Sequence, residues 1–377
     1  MLKNVQMTLL VGPGVPVPAP RLVIDALSSV QITSGGERTG FQLKFAVSKT
    51  SKLQTTMLPA GYFDPGVTRV IVAVTLGGIP NVLVDGIVTR QEVAPSNDSS
   101  HSTITITGED LSVLMDVVEA PFMRFPAMTV VTIVYATLAK YAVFGIAPIA
   151  IPPLFEDPTK ANPTQAIPTQ NGTDLAYIKQ LAAQAGYVFY IEPGPVIGTN
   201  IAYFGPDIRI PIPQKALSIN MDAHSNVETL TFTLDGLKKK ILVLNVLDPV
   251  TKKINIPVPV PNISILRPPL GARPTVPMKV EFSREQTKMS IPAAIGAALG
   301  RVAASSDAVT ATGSLNVLRY GAVLKARGLV GVRGAGLMYD GMYYVNTVTH
   351  SIKRGEYKQN FTLSRDGVIS NTPAVPL

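Results

Sequence analysis

Apolar and polar positions alternate along the first quarter of the chain. From Arg21 to Val93 the segments LVIDALSSVQIT, GFQLKFAVS and VTRVIVAVTLGGIPNVLVDGIVTRQEV are rich in β-branched residues. Gly35-Gly36, Gly77-Gly78 and Asp85-Gly86 punctuate them as turns, which predicts a series of antiparallel strands. STITITGED, 102–110, closes the block with Ile104 and Ile106 set strictly against Thr103, Thr105 and Thr107. Residues 1–110 therefore read as one all-β domain, a small barrel or sandwich.

From Leu111 the period lengthens. Thr129 to Val143 suits a buried helix, and NGTDLAYIKQLAAQAGYVFYIEPG places Leu175, Ile178, Leu181, Ala182 and Ala185 on one helical face. Thr173 is the expected cap and Gly186 the stop, with a short strand from Tyr187 to Ile191. Residues 111–205 thus form an α+β module inserted after the first β block. Strand patterns resume over 206–240. Residues 241–309 hold a proline-rich stretch, Asp248 to Pro277, which should run as extended edges or loops, and then a helix capped by Ser290 with Pro292 in its first turn. Strands return over 310–368, so the second β domain is discontinuous, 206–240 plus 310–368, followed by a tail, 369–377.

The two β blocks share a signature. Asp85-Gly86 opens an alternating run that closes on Asp110, 25 residues after Asp85; Asp340-Gly341 opens another that closes on Asp366, 26 residues after Asp340. Asp85, Gly86, Asp110, Asp340, Gly341 and Asp366 are read as structural residues of an internal duplication. Three such chains closed around an axis would present six similar units.

Composition narrows the chemistry. The 377 residues contain no cysteine, which excludes disulfides, zinc ribbons and thiol nucleophiles. Only 15% are charged while 46% are hydrophobic, a balance that suits subunit burial in an assembly. The net charge of +8 is scattered except at Lys238-Lys239-Lys240, and there is no tryptophan, so a sequence-specific nucleic-acid surface is not expected. The N-terminus is a poor signal peptide, and Lys140, Gly145 and Pro148 interrupt the one membrane-like window, Met128 to Ala150, which argues against an integral membrane protein. His101, His224 and His350 show no ligand spacing, and each reads as structural. Acid pairs such as Glu109-Asp110 and Asp116/Glu119 could serve a glycan hydrolase, but nothing marks them out, and for Glu109-Asp110 at a strand end a turn is the simpler reading. The glycine-rich GLVGVRGAGLMYDG, 328–341, lacks a phosphate-loop spacing and reads as turns. No catalytic residue, cofactor or metal ligand is assigned.

The order GFQLKFAV, VLVDGIVT, ITITGEDLSVLM, TDLAYIKQLAAQAGYVFYI and GMYYVNTVTHSIKRGEYKQNFTLSRDG resembles the late control protein D family of phage tails, which includes contractile-tail baseplate hubs and the hub portion of VgrG proteins. The resemblance spans about 20 to 368. It implies a mainly β fold with α+β insertions, in which two tail-tube-like antiparallel barrels per subunit build a pseudo-sixfold ring in a homotrimer. It further implies a structural, non-enzymatic hub between a hexameric tail tube and a trimeric spike. Other baseplate proteins and luminal cargo are further implied partners, with assembly in the bacterial cytoplasm and a final place in a virion tail or injection particle. Because the sequence stops at Leu377, the spike is expected on a separate chain. The alternatives are a particle-borne enzyme such as a cell-wall hydrolase, or a nucleic-acid-binding module.

Overall fold

A computed structural model describes residues 5–36, 38–96, 102–154, 167–209, 212–247, 255–260, 267–282, 291–304 and 306–371. The chain begins with β1 (Val5–Pro13) and β2 (Val17–Pro18), a helical turn and a half, α1 (Arg21–Ala26), then β3 (Leu27–Ser34), β4 (Gly40–Val47), β5 (Thr68–Leu76), β6 (Ile79–Ala94) and β7 (Ser102–Asp110). Two features correct the sequence reading. The first strand lies ahead of Arg21, because β1 pairs with β5 over its whole length, from Val5 opposite Leu76 to Pro13 opposite Thr68. Residues 21–26 are helical rather than extended: Pro20 supplies a fixed entry and Val23 drops into the core with no exposed surface.

The middle module contains α2 (Val130–Leu138), β8 (Ile146–Ala150), α3 (Asp174–Ala185), β9 (Val188–Pro193) and β10 (Asn200–Gly205). Its three strands run in the order β8-β10-β9, two more than expected. Thr173 caps α3 through the amide of Ala176, and Gly186 ends it in the left-handed region at φ 69°, as read from the sequence. Leu175, Ile178, Leu181 and Ala182 are buried with Leu111, Met115, Ile133 and Phe204 in a separate core.

The remainder comprises β11 (Gln214–Ser218), β12 (Thr229–Leu234), β13 (Lys240–Leu247), β14 (Asn255–Val260), β15 (Gly271–Pro274), β16 (Lys279–Phe282), α4 (Ile291–Ala304), β17 (Val309–Asn316), α5 (Val317–Tyr320), β18 (Leu329–Arg333), β19 (Gly341–Lys353), β20 (Glu356–Arg365) and β21 (Gly367–Ser370). Within the segment read as extended edges or loops, 248–277, the described strands are β14, on the edge of a small sheet β14-β13-β16, and β15, which pairs with β21. Pro257 and Pro259 sit two apart on the edge strand β14, so both imide nitrogens face the same, unpaired side. Ser290, the expected cap of α4, lies outside the described residues, while Pro292 does occupy the first turn. α4 packs on α3, where a Cβ on Gly300 would come within 2.4 Å of the Gly186 Cα.

One sheet path joins both β units: β12-β17-β20-β19-β3-β4-β7-β6-β5-β1-β2, with β18 bridging β19 and β11. Read outward from the junction, the first unit runs β3-β4-β7-β6-β5-β1; the second, read from its free edge, runs β12-β17-β20-β19-β18-β11. The two orders are the same when β1, β3, β4, β5, β6 and β7 are matched in turn with β11, β12, β17, β18, β19 and β20. Even the irregularities coincide, with a one-residue bulge between Val88 and Arg90 on the β6–β7 ladder and between Val345 and Thr347 on β19–β20. The match differs at one end, where β1–β5 is antiparallel and β11–β18 parallel.

Placing a carboxylate on the inner face tests this packing. Ile106 has no exposed surface, so Ile106→Asp is expected to destabilise the fold by more than ~3 kcal/mol, seen as a large drop in melting temperature; an unchanged melting temperature would reverse the inside/outside assignment. His350 gives a pH test. Its imidazole is buried against Tyr357 (Nδ1 to hydroxyl 2.8 Å), and burial pulls its pKa from 6.5 down to about 4. Because the unfolded chain accepts this proton first, stability should fall as pH drops from about 6.5 to about 4, by up to ~3 kcal/mol. Denaturant titrations at pH 7 and 4.5 measure it, and His350→Gln should remove that share of the loss.

Candidate functional site: a hydroxyl-lined sheet face

Strand alternation sorts the shared sheet into two surfaces. Ile104 and Ile106 of β7, Phe41, Leu43 and Phe45 of β4, and Val30 and Ile32 of β3 are buried on one side. Val348 and Ile352 of β19, Phe361 and Leu363 of β20, and Val309, Ala311 and Leu315 of β17 continue that side through the second unit. The bulge at Val345/Thr347 makes this possible. It shifts parity, so Tyr343 and Val345 point inward before it and Val348 and Ile352 after it.

The opposite surface is made of short neutral polar side chains. Across the ladders, Thr33 stands opposite Thr349, Thr349 opposite Asn360, Asn360 opposite Ser314, and Ser314 opposite Thr229. A second row runs Thr347, Thr362, Thr312, Thr231. The hydroxyls of Thr33 and Thr349 are 3.0 Å apart, and those of Thr229 and Ser314 2.8 Å apart. Pairs of this kind contribute about 0.2–1 kcal/mol each and keep the side chains flat on the sheet. Toward the first unit the face continues through Gln31, Gln42 and Thr107. At one margin Lys353 lies between Ser29 and Glu356 and Lys358 reaches Glu228 at 3.1 Å, and at the β6–β7 end the face carries Arg90 opposite Thr107 and Glu109 opposite Gly40. Over β12, β17, β20 and β19 the face is hollowed into a shallow depression lined by Thr231, Thr312, Thr347 and Thr362 among others.

The signature residues take different parts in holding this sheet. Asp85, 1% exposed, accepts two hydrogen bonds from Arg69, 2.7 Å from Nε and 2.6 Å from Nη2, and one from Asn200 at 2.8 Å. Arg69 also donates to the carbonyls of Gly14, Phe144 and Gly198, so the pair ties the first β unit to the middle module. Gly86 faces the opposite strand so closely that a Cβ would come within 2.1 Å of the Glu109 carbonyl oxygen. Asp110 accepts from the amides of Thr39 (2.6 Å) and Ser112 (2.9 Å), capping the turn that leaves β7; burial raises its pKa against those bonds. Asp340 closes a turn by accepting from the Ala335 amide at 2.7 Å, Gly341 adopts φ 126°, and Asp366 accepts from the amides of Leu270 and Gly271. Matched through the bulges, Gly86 stands with Tyr343 and Asp110 with Arg365, so the two Asp-Gly pairs are offset by two residues.

Other titratable groups are committed to partners. Arg38 bridges Glu109 (2.8 Å) and Asp116 (2.5 Å), and the Thr173 hydroxyl also donates to Asp116; together they hold the Asp116 carboxyl below the usual range. Glu119 is exposed in a loop that bridges to Thr173. His224 lies on an exposed turn and His101 is outside the described residues. Glycines 328–341 form β18 and the turn into β19, with Gly334 and Gly336 at positive φ. Among the described residues no group of three or more His, Asp or Glu could hold a metal ion, and no helix is long and apolar enough to cross a membrane.

A cleft of ≈ 550 Å³ separates the middle module from the second unit. Sequence reading missed it, since its members are scattered. Asp307 accepts from both terminal nitrogens of Arg209 (2.8 and 2.7 Å) and from Ser364 (2.7 Å). Burial pushes the Asp307 pKa up, but Arg209 outweighs it and the carboxyl stays ionised. Asp207 pairs with Arg267 at 2.9 Å and accepts from the Tyr344 hydroxyl at 3.0 Å, while Arg327 lies 3.9 Å above the ring of Tyr190. The Arg209–Asp307 and Arg267–Asp207 pairs neutralise each other's charge and clamp elements together.

Comparison of the sequence with family models and with curated proteins finds no match. The structure does match solved ones. A tail protein from Neisseria meningitidis superposes with a TM-score of 0.60 at 14% identity, over 96% of this chain and 98% of that one. The 43 kDa tail protein of prophage MuSo2 from Shewanella oneidensis gives 0.60 at 15%, again over 96% and 98%. A chain of the Francisella PdpA-VgrG complex gives 0.59 at 8%, covering all of this chain and 60% of that one. The chain therefore has the fold of phage tail proteins and of VgrG assemblies, mainly antiparallel β with α+β insertions, as the sequence resemblance implied.

The Arg69–Asp85 clamp generates its own test. Arg69→Ala leaves a carboxylate buried among dry neighbours and should cost about 3–5 kcal/mol, whereas Arg69→Ala with Asp85→Ala should recover much of that. Equal losses in the single and double variants would show that the pair is not coupled.

Proposed function

We propose that this protein is the structural hub of a phage tail or phage-tail-like injection apparatus, working as a homotrimer that joins a sixfold tube to a threefold spike. The observation that carries the proposal is the repeated strand order, with both units fused through one ladder into one sheet. Two copies of one unit per chain, taken as products of a duplication, give three chains six near-equivalent faces. The fold shared with tail proteins supports the same role.

The sheet also has a defined inside and outside in such a ring. The apolar core of the β units lies on the side away from the threonine rows, while the middle module covers the ends of the same face at Asp85, Ile87 and Ser364. The stretch of hydroxyls left uncovered over β12, β17, β20 and β19 is the part of the face that would turn toward the axis and line a passage. Neutral, short, mutually hydrogen-bonded side chains offer a passing polymer no ion pairs and no apolar grip. The hub thus guides cargo without retaining it, and no catalytic step belongs to its role. The cytoplasm is the site of assembly, and the mature location is the virion tail or injection particle. Tube and spike are separate partners on opposite rims.

The solution mass tests the stoichiometry. Light scattering across a concentration series is expected to give a species near 120 kDa, three times the 40.1 kDa chain, that binds a hexameric tube protein at one end. A monomer that persists with tube and spike chains present would overturn the hub role.

A further inference from the structure

The matched strand order fixes more than the number of units. Inside the chain, β3 docks antiparallel on the second half of β19, from Ser34 opposite Val348 to Ser29 opposite Lys353. That half of β19 is available because β18 occupies the same edge only over Gly341 to Tyr344. The counterpart of β3 is β12, and the counterpart of β19 is β6. In β6 the same edge is occupied by β5 only as far as Ile87, and among the described residues Arg90–Ala94 have ladder partners on the β7 side alone. β12 likewise pairs only with β17. Among the described residues the chain therefore carries one filled socket, β19 with β3 in it, one unfilled socket on β6, and one unpaired plug edge, on β12.

We infer that β12 of one copy pairs antiparallel with the second half of β6 of the next, repeating between chains the β3–β19 ladder found within the chain. The register follows from the ladders. Leu230 stands opposite Gly313 as Val30 stands opposite Leu43, and counting through β17 and β20 matches Leu230 with Val30 and Phe232 with Ile32. The bulges match Val345 with Val88 and Thr347 with Arg90, hence His350 with Val93. Ile32 opposite His350 becomes Phe232 opposite Val93, on the apolar side. Thr33 opposite Thr349 becomes Thr233 opposite Glu92, on the polar side.

Two further observations point the same way. Val93 pairs with the fully buried Ile104, so its side chain belongs to the core face, yet it is 38% exposed; its counterpart His350 is 3% exposed under β3. The plug is TLTFTL, a strand with no charge and no proline and with Leu234 also 38% exposed, an edge that would aggregate unless something covers it. A head-to-tail contact of this kind closes into a ring when the rotation permits. Only the count of three rests on the hub role; the ladder itself rests on the repeat.

The absence of native cysteine makes the register directly testable. Thr233→Cys combined with Glu92→Cys in the full chain, oxidised and run on a denaturing gel, should convert more than half of the protein to covalent dimers and trimers. Thr33→Cys with Thr349→Cys, placed on the intrachain ladder, should close within one chain and calibrate the yield. Thr233→Cys with Val93→Cys puts the thiols on opposite faces and should remain at monomer mass. A trimer by light scattering whose Thr233/Glu92 pair gives no covalent species overturns the ladder and leaves the hub role standing. A monomer at every concentration, with or without tube and spike chains, overturns both.

Discussion

Six residue pairs between β3 and β19 turn two β units into one object. A ladder has a register, and with a side-chain period of two a slip of one residue would send Val30 and Ile32 outward and Gln31 and Thr33 into the core. Neither unit could tolerate that, so the junction fixes the angle between the units as well as their contact. Seen this way, the bulge in β19 is a requirement of the junction. Before it the strand serves β18 with Tyr343 and Val345 inward, and after it the strand serves β3 with Val348 and Ile352 inward.

Buried ion pairs extend that rigidity to the middle module. Arg69 and Asp85 hold its loops at Phe144 and Gly198 against β5 and β6, while Arg209 and Asp307 hold the segment that follows β10 against β20. Such pairs repay their desolvation poorly and add little net stability. What they supply is geometry, because a bidentate guanidinium accepts only one orientation of its carboxylate. The module is pinned at both ends, and a part placed as the proposed hub role has it, between a tube and a spike, would need that kind of fixity more than a large folding free energy.

Much of this was legible from sequence, for identifiable reasons. Ile104 and Ile106 alternate cleanly with threonines because one face of β7 is core and the other solvent. α3 carried a cap, a stop and a stripe, all local signals. By contrast, β1 was hidden by the glycines and prolines that follow it, and β8 and β10 are five- and six-residue strands whose burial depends on partners far along the chain. The repeat was visible as two β blocks, but its detail was not. The Asp-Gly pairs that flagged it report local turn and clamp chemistry, and they lie two residues out of step with the bulges. Equivalence resides in strand order and register, which pairing across the chain creates and adjacent residues cannot encode. The cleft pairs Arg209 with Asp307 and Asp207 with Arg267 for the same reason, out of reach of any motif.

The chain is basic overall, at +8, yet the polar rows over β12, β17, β20 and β19 are uncharged, and under the proposed hub role this contrast bears on what a passage would admit. A lysine-lined passage would bind an acidic polymer through counterion release, with an affinity rising with every contact, and translocation would stall. An apolar lining would retain a partly unfolded protein by burying its side chains. Threonine, serine and asparagine avoid both, since their hydrogen-bonding groups are already engaged across the ladder or with water. Of the charges on this side, Lys44, Glu92, Lys353 and Lys358 with Glu356 sit in rows at one margin, and Arg90 and Glu109 lie at the β6–β7 end. In the proposed ring, the marginal charges would meet an entering chain at the rim and the neutral rows would receive it next.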